Sequence, residues 1–227
     1  MRIDSVIFDF DGTVVDSEPN YYEADRLLMA EYGIHFTFDM KKEFIGRGNT
    51  TMMEELNRRY NLPTTVEDMA KRKNQLYLDI ALKNTPIYPE MMLFIKMLVR
   101  EGIPIALASG TSSSILNRLV YHLGLNQYFD AVISSDEVGK SKPEPDIFLE
   151  AAKKIHSDPK NCLIVEDSAF GIEAGLRAGM QVMAVPYITD EPLDEIFFKS
   201  DILFRQGQSE FSAEKAMNWV NTRYLQE

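Results

Sequence analysis

The sequence predicts an α/β protein, a doubly wound parallel sheet with an α-helical domain inserted into it. Three observations carry that prediction. Short apolar runs of strand-forming residues recur at 3–8, 103–108, 131–133, 163–165 and 181–185. Stretches of helical period separate the later runs, and strands that alternate with helices form a parallel sheet covered on both faces. The stretch 17–85 instead reads as helix throughout, with no convincing strand, and it lies between the first run and the second. The core is therefore assigned to 1–16 and 86–227, and the insertion to 17–85.

In chain order, the strand at 3–8 is followed by Asp16-Ser17, which supplies N-cap chemistry for a helix over 18–32. Glu43-Phe44-Ile45 runs into Gly46-Arg47-Gly48-Asn49, a loop rich in breakers, after which Thr50-Thr51 are expected to cap a helix through Tyr60. Leu62-Pro63-Thr64-Thr65 breaks the chain ahead of a helix over 66–83, and Pro86 and Pro89 close the block. A helix over 90–101 ends at Gly102, before the strand that begins at Ile103. Helices over 112–122, 146–156 and 169–177 each precede one of the remaining strands. Beyond 186 the pattern gives a short strand near 202–204 and a final helix around 211–224.

Composition narrows the function classes. Of 227 residues, 45% are hydrophobic and 26% charged, the balance of a soluble globular protein. A net charge of −11, from 35 acidic and 24 basic residues, argues against a nucleic-acid surface or a binder of anionic membranes. A small phosphorylated substrate needs only a few local cations. Cys162 is the single cysteine, so no internal disulfide forms, and its apolar neighbours make it a core residue. The N-terminus enters a strand pattern with no signal-peptide layout, and no apolar run approaches a membrane span. The expected location is the cytoplasm.

In an open parallel sheet, ligands bind at the carboxyl ends of the strands, where the strand order reverses. The first strand ends in Asp9-Phe10-Asp11-Gly12-Thr13. Residues two apart begin on one face of a strand, and Gly12 permits a tight turn. Two carboxylates closing an apolar strand repel unless a cation lies between them, and a hard cation such as Mg²⁺ prefers oxygen ligands. The second strand ends in Ser109-Gly110-Thr111, a hydroxyl and a glycine ahead of a helix start whose N–H groups suit an anion. Lys140, Ser141 and Lys142-Pro143-Glu144-Pro145 follow the third strand, and Glu166-Asp167-Ser168 ends the fourth. Singly, each has a plain structural reading: an Asp-Gly turn, an N-cap serine, a solvated lysine, a capped strand-to-helix turn. Gathered at one sheet edge, they make a site for a phosphoryl group and Mg²⁺.

Asp9-Phe10-Asp11-Gly12-Thr13, Ser109, Lys142-Pro143 and Glu166-Asp167 resemble the four motifs of the haloacid dehalogenase superfamily. The inserted helical block resembles the cap of its first subclass, in the branch of β-phosphoglucomutase and small sugar-phosphate phosphatases. The resemblance covers essentially the whole chain and implies a Rossmann-like core. It implies that Asp9 is the nucleophile, forming an aspartyl phosphate, and that Asp11 is the general acid and then the general base. It implies Mg²⁺ held by the Asp9 and Asp167 carboxylates and the Asp11 carbonyl, with Glu166 a direct or water-mediated ligand. Ser109, Lys142 and the N–H of Gly110 would hold the phosphoryl oxygens. Dehalogenases of the superfamily attack carbon and look different at the second aspartate, so Asp11 with Glu166-Asp167 points to phosphate chemistry.

The expected activity is therefore a Mg²⁺-dependent phosphomonoesterase acting on a small phosphorylated metabolite, a sugar or polyol phosphate. The alternative is a phosphosugar mutase. Ala70-Lys71-Arg72-Lys73-Asn74-Gln75-Leu76-Tyr77 looks much like the cap of β-phosphoglucomutase. That mutase resembles this chain in the core but carries a histidine about where Tyr21 stands, and a lysine and an arginine about where Ile45 and Asn49 stand. Arg47, Asn49 and Lys73 are candidates for the non-phosphate part of the substrate, with a solvated loop or helix face as their plain reading. Glu18-Pro19-Asn20 resembles a phosphatase hinge. A phosphoacceptor signalling domain gathers similar residues but needs no helical insertion, and a retired binding protein would be expected to have lost Asp9, Asp11 or Asp167. His35, His122 and His156 are scattered and are assigned no role. A monomer suffices for a cap-on-core enzyme of this size, and a dimer is the alternative.

Overall fold

The computed structural model describes residues 2–44 and 49–224. The chain forms two compact units, Met1–Asp16 with Ile87–Glu227, and Ser17–Pro86.

The second unit is helical: α1 (Glu18–Glu31), α2 (Phe38–Lys42), α3 (Asn49–Tyr60) and α4 (Val66–Ala81). Its interior is rich in methionine, with Met29, Met52, Met53 and Met69 packed around Leu28 and Phe36, unbranched side chains that fill irregular gaps between short helices. Two expected caps differ. Ser17 holds the N-cap position of α1 but makes no capping bond, and its hydroxyl is buried with no hydrogen-bond partner among the described residues. A proline in the first turn stands in, because it removes a donor that a cap would otherwise satisfy. Thr50 and Thr51 lie inside α3, which starts at Asn49, so they are not its caps. The cap of α4 is Thr65, whose Oγ1 accepts from Asp68 N at 3.1 Å.

A charge cluster lies inside this unit. Asp25 is fully buried and takes Lys41 Nζ at 2.8 Å and Lys73 Nζ at 2.6 Å. Tyr21 stacks on Tyr77 beside it, ring centroids 4.0 Å apart. Burial lowers the Lys73 pKa; Asp25 pulls it back and Lys41 pushes it further down. Removing the carboxylate between two buried ammonium groups is strongly unfavourable. Asp25→Asn is expected to destabilise this unit by about 3–5 kcal/mol, read as lost hydrogen-exchange protection of the α1 and α4 amides. Unchanged protection would contradict the assignment.

The first unit is built on a six-stranded sheet: β1 (Ser5–Phe8), β2 (Ile105–Ser109), β3 (Ala131–Ser134), β4 (Cys162–Glu166), β5 (Gln181–Ala184) and β6 (Ile202–Leu203). The order is β3-β2-β1-β4-β5-β6, and every neighbouring pair is parallel. The fold is thus α/β and doubly wound, with the order reversing between β1 and β4. Helices α5 (Pro89–Arg100), α6 (Ser113–His122), α7 (Asp146–Lys154), α8 (Ala169–Arg177) and α9 (Ala213–Tyr224) follow in the same unit.

Every residue of β1 is buried, as expected of a central parallel strand covered on both faces. Ile7 joins Ala106, Ile164 and the α7 residues Ile147 and Phe148. Phe8, on the opposite face, meets Phe94 and Phe129 edge-on at 5.8 and 6.0 Å. Cys162 is buried and accepts from Ser5 Oγ at 3.2 Å, and burial pushes its thiol pKa up to about 11. β2 starts two residues later than the sequence pattern suggests. Pro104 has no N–H for the ladder, and Ile105 N donates to Asp130 Oδ2 at 2.9 Å. β2 and β4 also run one residue further than expected, so Ser109 and Glu166 belong to the strands and are fixed by ladder pairing with Ser134 and Ala184.

Candidate active site

The chain turns sharply beyond β1. Val14 and Val15 N–H both donate to Phe10 O, at 2.9 and 3.1 Å, and Gly12 N donates to Val15 O at 2.8 Å. Gly12 has φ +82°, and a Cβ there would run into the Asp167 carboxylate. Glycine is thus required both by conformation and by close approach. Gly12→Ala is expected to cost about 1–3 kcal/mol of stability, measured by chemical denaturation; a variant as stable as the parent would contradict this reading of the turn.

Asp9, Glu166 and Asp167 each present a carboxylate oxygen within 4.8 Å of the others. Lys142 Nζ lies between two of them, 2.5 Å from Asp9 Oδ1 and 2.7 Å from Glu166 Oε1, and 4.8 Å from the centre of the Phe148 ring. Glu166 Oε2 accepts from Ser168 N at 2.7 Å and Ser168 Oγ at 3.0 Å. A Cβ on Gly171 would overlap the Glu166 carboxylate, so the start of α8 must be glycine here for the acid to fit. Thr13 Oγ1 donates to Asp167 Oδ1 at 3.2 Å. Gln208 reaches back from the C-terminal part of the chain, donating to Thr13 O at 3.0 Å and Gly12 O at 3.4 Å.

The electrostatics follow from crowding. Burial pushes the Asp9 carboxyl well above its ordinary range; Lys142 opposes this, while Glu166 and Asp11 add to it. Burial also works to lower the Lys142 pKa, but the Asp9 and Glu166 charges outweigh it and hold the lysine firmly protonated. One ammonium does not balance four neighbouring acids. The oxygen-only donor set suits a hard divalent cation, and the cluster fits one.

Asp11 is held from the other side. Its Oδ2 accepts from Ser109 Oγ at 3.0 Å and from Thr111 Oγ1 at 2.7 Å. Gly110 is exposed between them, its carbonyl accepting from Ser135 Oγ at 2.8 Å.

One strand-end cluster therefore contains Asp9, Asp11, Ser109, Lys142, Glu166 and Asp167, with Gly110 beside it. Asn49 and Lys73 belong to the helical unit, where Lys73 is buried against Asp25 and Asn49 Oδ1 is buried with no hydrogen-bond partner among the described residues. Arg47, with Ile45, lies outside the described residues. Sequence reasoning missed Thr13, Thr111, Ser168 and Gln208 as supporting residues. The first three sit within two positions of a recognised motif residue, which was the available signal. Gln208 is 195 residues from its partner Thr13 and had none. No helix among the described residues is long and apolar enough to cross a membrane.

Comparison with known proteins agrees with the fold. A bifunctional riboflavin kinase/FMN phosphatase of Arabidopsis thaliana is 34% identical over 186 residues, covering 80% of this chain and 48% of that protein. A fructose-1-phosphate phosphatase of Escherichia coli is 30% identical over 184 residues, covering 81% of this chain and 97% of the relative. The crystal structure of a β-phosphoglucomutase from Clostridium difficile superposes with a TM-score of 0.78 at 24% identity, covering 97% of this chain and 98% of that one. Residues 6–185 match the haloacid dehalogenase-like hydrolases, and the chain belongs to that family.

Proposed function

We propose that this chain hydrolyses the phosphomonoester of a small phosphorylated metabolite, a sugar or polyol phosphate, with Mg²⁺ as cofactor and an aspartyl phosphate as intermediate. The observation that carries the reading is Lys142 wedged between Asp9 and Glu166, with Asp167 and Asp11 alongside. An anionic nucleophile that meets an anionic phosphate needs such fixed positive charge, because positioning and charge neutralisation are most of phosphoryl-transfer catalysis. The phosphatase relatives from two kingdoms support the same class.

In this reading an Asp9 oxygen attacks phosphorus while the bond to the leaving oxygen breaks. That oxygen takes its electron pair and a proton from Asp11. Asp11 then accepts a proton from water, whose oxygen attacks the phosphoryl group and releases phosphate and Asp9. Ser109, the Gly110 N–H and Lys142 hold the phosphoryl oxygens. The Asp9 and Asp167 carboxylates and the Asp11 carbonyl would hold Mg²⁺, with Glu166 direct or through water, and the ion would supply charge neutralisation. Thr13 and Ser168 orient Asp167 and Glu166 by the hydrogen bonds they donate. By the resemblance, the mutase carries a histidine about where Tyr21 stands, and that departure favours water over a second sugar as acceptor. The assignment of Arg47 and Asn49 to the rest of the substrate is carried by the resemblance alone; Lys73 is assigned to the interior of the helical unit. A monomer suffices for a cap-on-core enzyme of this size, and the cytoplasm is the proposed location.

The test is phosphate release from sugar, polyol and nucleoside monophosphates, with Mg²⁺ and with chelator. Release that chelator stops is the expected result. Absence of release from all of them, with isomerisation of β-glucose 1-phosphate once a bisphosphate primer is added, would replace hydrolysis with mutase activity.

A further inference from the structure

We infer that Thr111 is a positioning residue for proton transfer, holding Asp11 Oδ2 while Ser109 serves the phosphoryl group. The inference rests on the phosphatase reading and deepens it. Two hydroxyls converge on the same carboxylate oxygen, Thr111 Oγ1 at 2.7 Å and Ser109 Oγ at 3.0 Å. Thr111 N–H also donates to Ser109 Oγ at 3.0 Å. A hydroxyl has one hydrogen to give, so Ser109, already accepting from Thr111, can donate either to Asp11 or to a phosphoryl oxygen, but not to both. When Ser109 turns to the substrate, Thr111 remains as the hydroxyl on Asp11. Both hydroxyl-bearing residues are buried, and the bonds they make to Asp11 are partly buried.

The geometry also assigns the proton. With Oδ2 accepting from the hydroxyls, the transferable proton belongs on Oδ1. A neutral carboxyl protonated there and an ionised carboxylate both leave Oδ2 as an acceptor, so the same bracket holds Asp11 before and after it gives up its proton. The proton moves from Oδ1 to the leaving oxygen as the ester P–O bond breaks, and returns to Oδ1 from the attacking water. Threonine suits the task because its branched Cβ restricts χ1.

The experiment compares Thr111→Val, which keeps shape and removes the hydroxyl, with Thr111→Ser, which keeps the hydroxyl. Substrates are fructose 1-phosphate and glycerol 3-phosphate, whose alkoxides need protonation, and p-nitrophenyl phosphate, whose phenolate does not. The readout is kcat/KM, which reports only steps through enzyme phosphorylation and so excludes the later use of Asp11 as base. General acid catalysis contributes about 10²–10⁴-fold. Thr111→Val is expected to lose at least about tenfold more on the alkyl esters than on the aryl ester, and Thr111→Ser to restore the ratio. Equal losses on both ester classes, or no loss on the alkyl esters, would overturn the inference and leave the phosphatase reading standing. If the unsubstituted protein releases phosphate from none of the three, the sugar or polyol phosphate of the panel above that it hydrolyses fastest replaces the alkyl esters; release from no member of that panel fells the phosphatase reading and this inference with it. Melting temperatures verify folding, and Thr111→Ala repeats the comparison if the valine variant does not fold.

Discussion

Replacement of Asp9 by asparagine is expected to reduce phosphate release on the order of 10³-fold or more, because an amide oxygen cannot form the acyl phosphate. The same substitution is expected to leave the metal-free protein more stable. Asp9 is buried beside two acids that repel its charge, and its carboxyl is raised well above the ordinary 3.8. The folded protein therefore binds a proton there more tightly than the unfolded chain. That contribution to stability is complete below the unfolded value and is lost as pH rises through the folded one. Above the unfolded value this acid therefore weakens the fold, a cost that the neutral amide removes. Thermal melts in chelator should show Asp9→Asn above the parent at pH 7, with the gap closing as pH falls. An inactive variant that is less stable at pH 7 would mean that the Lys142 contact outweighs the crowding.

Substituting Lys142 by methionine should do the most combined damage. Two buried carboxylates that share the ammonium at 2.5 and 2.7 Å would lose it together. Breaking a buried pair on one side costs about 3–5 kcal/mol, and removing a positive group from the phosphoryl site costs about 10²–10³-fold in kcat. The stability loss should deepen as pH rises, since Asp9, whose carboxyl burial already pushes up, is then forced to ionise without its cation. Added Mg²⁺ should recover part of the stability by binding the folded state without recovering the rate. A variant as stable as the parent in chelator at pH 7 would show that Lys142 does not balance these acids.

Much of this site was legible because its chemistry is local. Asp9 and Asp11 close an apolar strand, and Glu166-Asp167 closes another; the order of strands then brings their ends together. The sequence underestimated β2 and β4 by one residue at that end, because a polar residue looks like a loop until the ladder pairing of Ser109 and Glu166 is visible. α2 has five residues, too few for a helical period to register. A solvated helix face was the plain reading of Lys73, because nothing in spacing announces that it shares a buried Asp25 with Lys41. Gln208 could not be found at all, since its partners are the backbone carbonyls of Gly12 and Thr13 and a carbonyl leaves no mark in a sequence. Thr111 was quoted as part of a helix start, and only the distance to Asp11 gives it a second role.

In the proposed mechanism Asp9 carries the phosphoryl group. That assignment is tested most directly by quenching the protein in acid during Mg²⁺-supported turnover of fructose 1-phosphate, reducing with borohydride, and mapping the modified residue by mass spectrometry. Reduction converts an acyl phosphate to the alcohol, so homoserine is expected at position 9, with none at Asp11 and none in Asp9→Asn. Continued turnover with no reduced residue, or with the modification at any other acid, would contradict it.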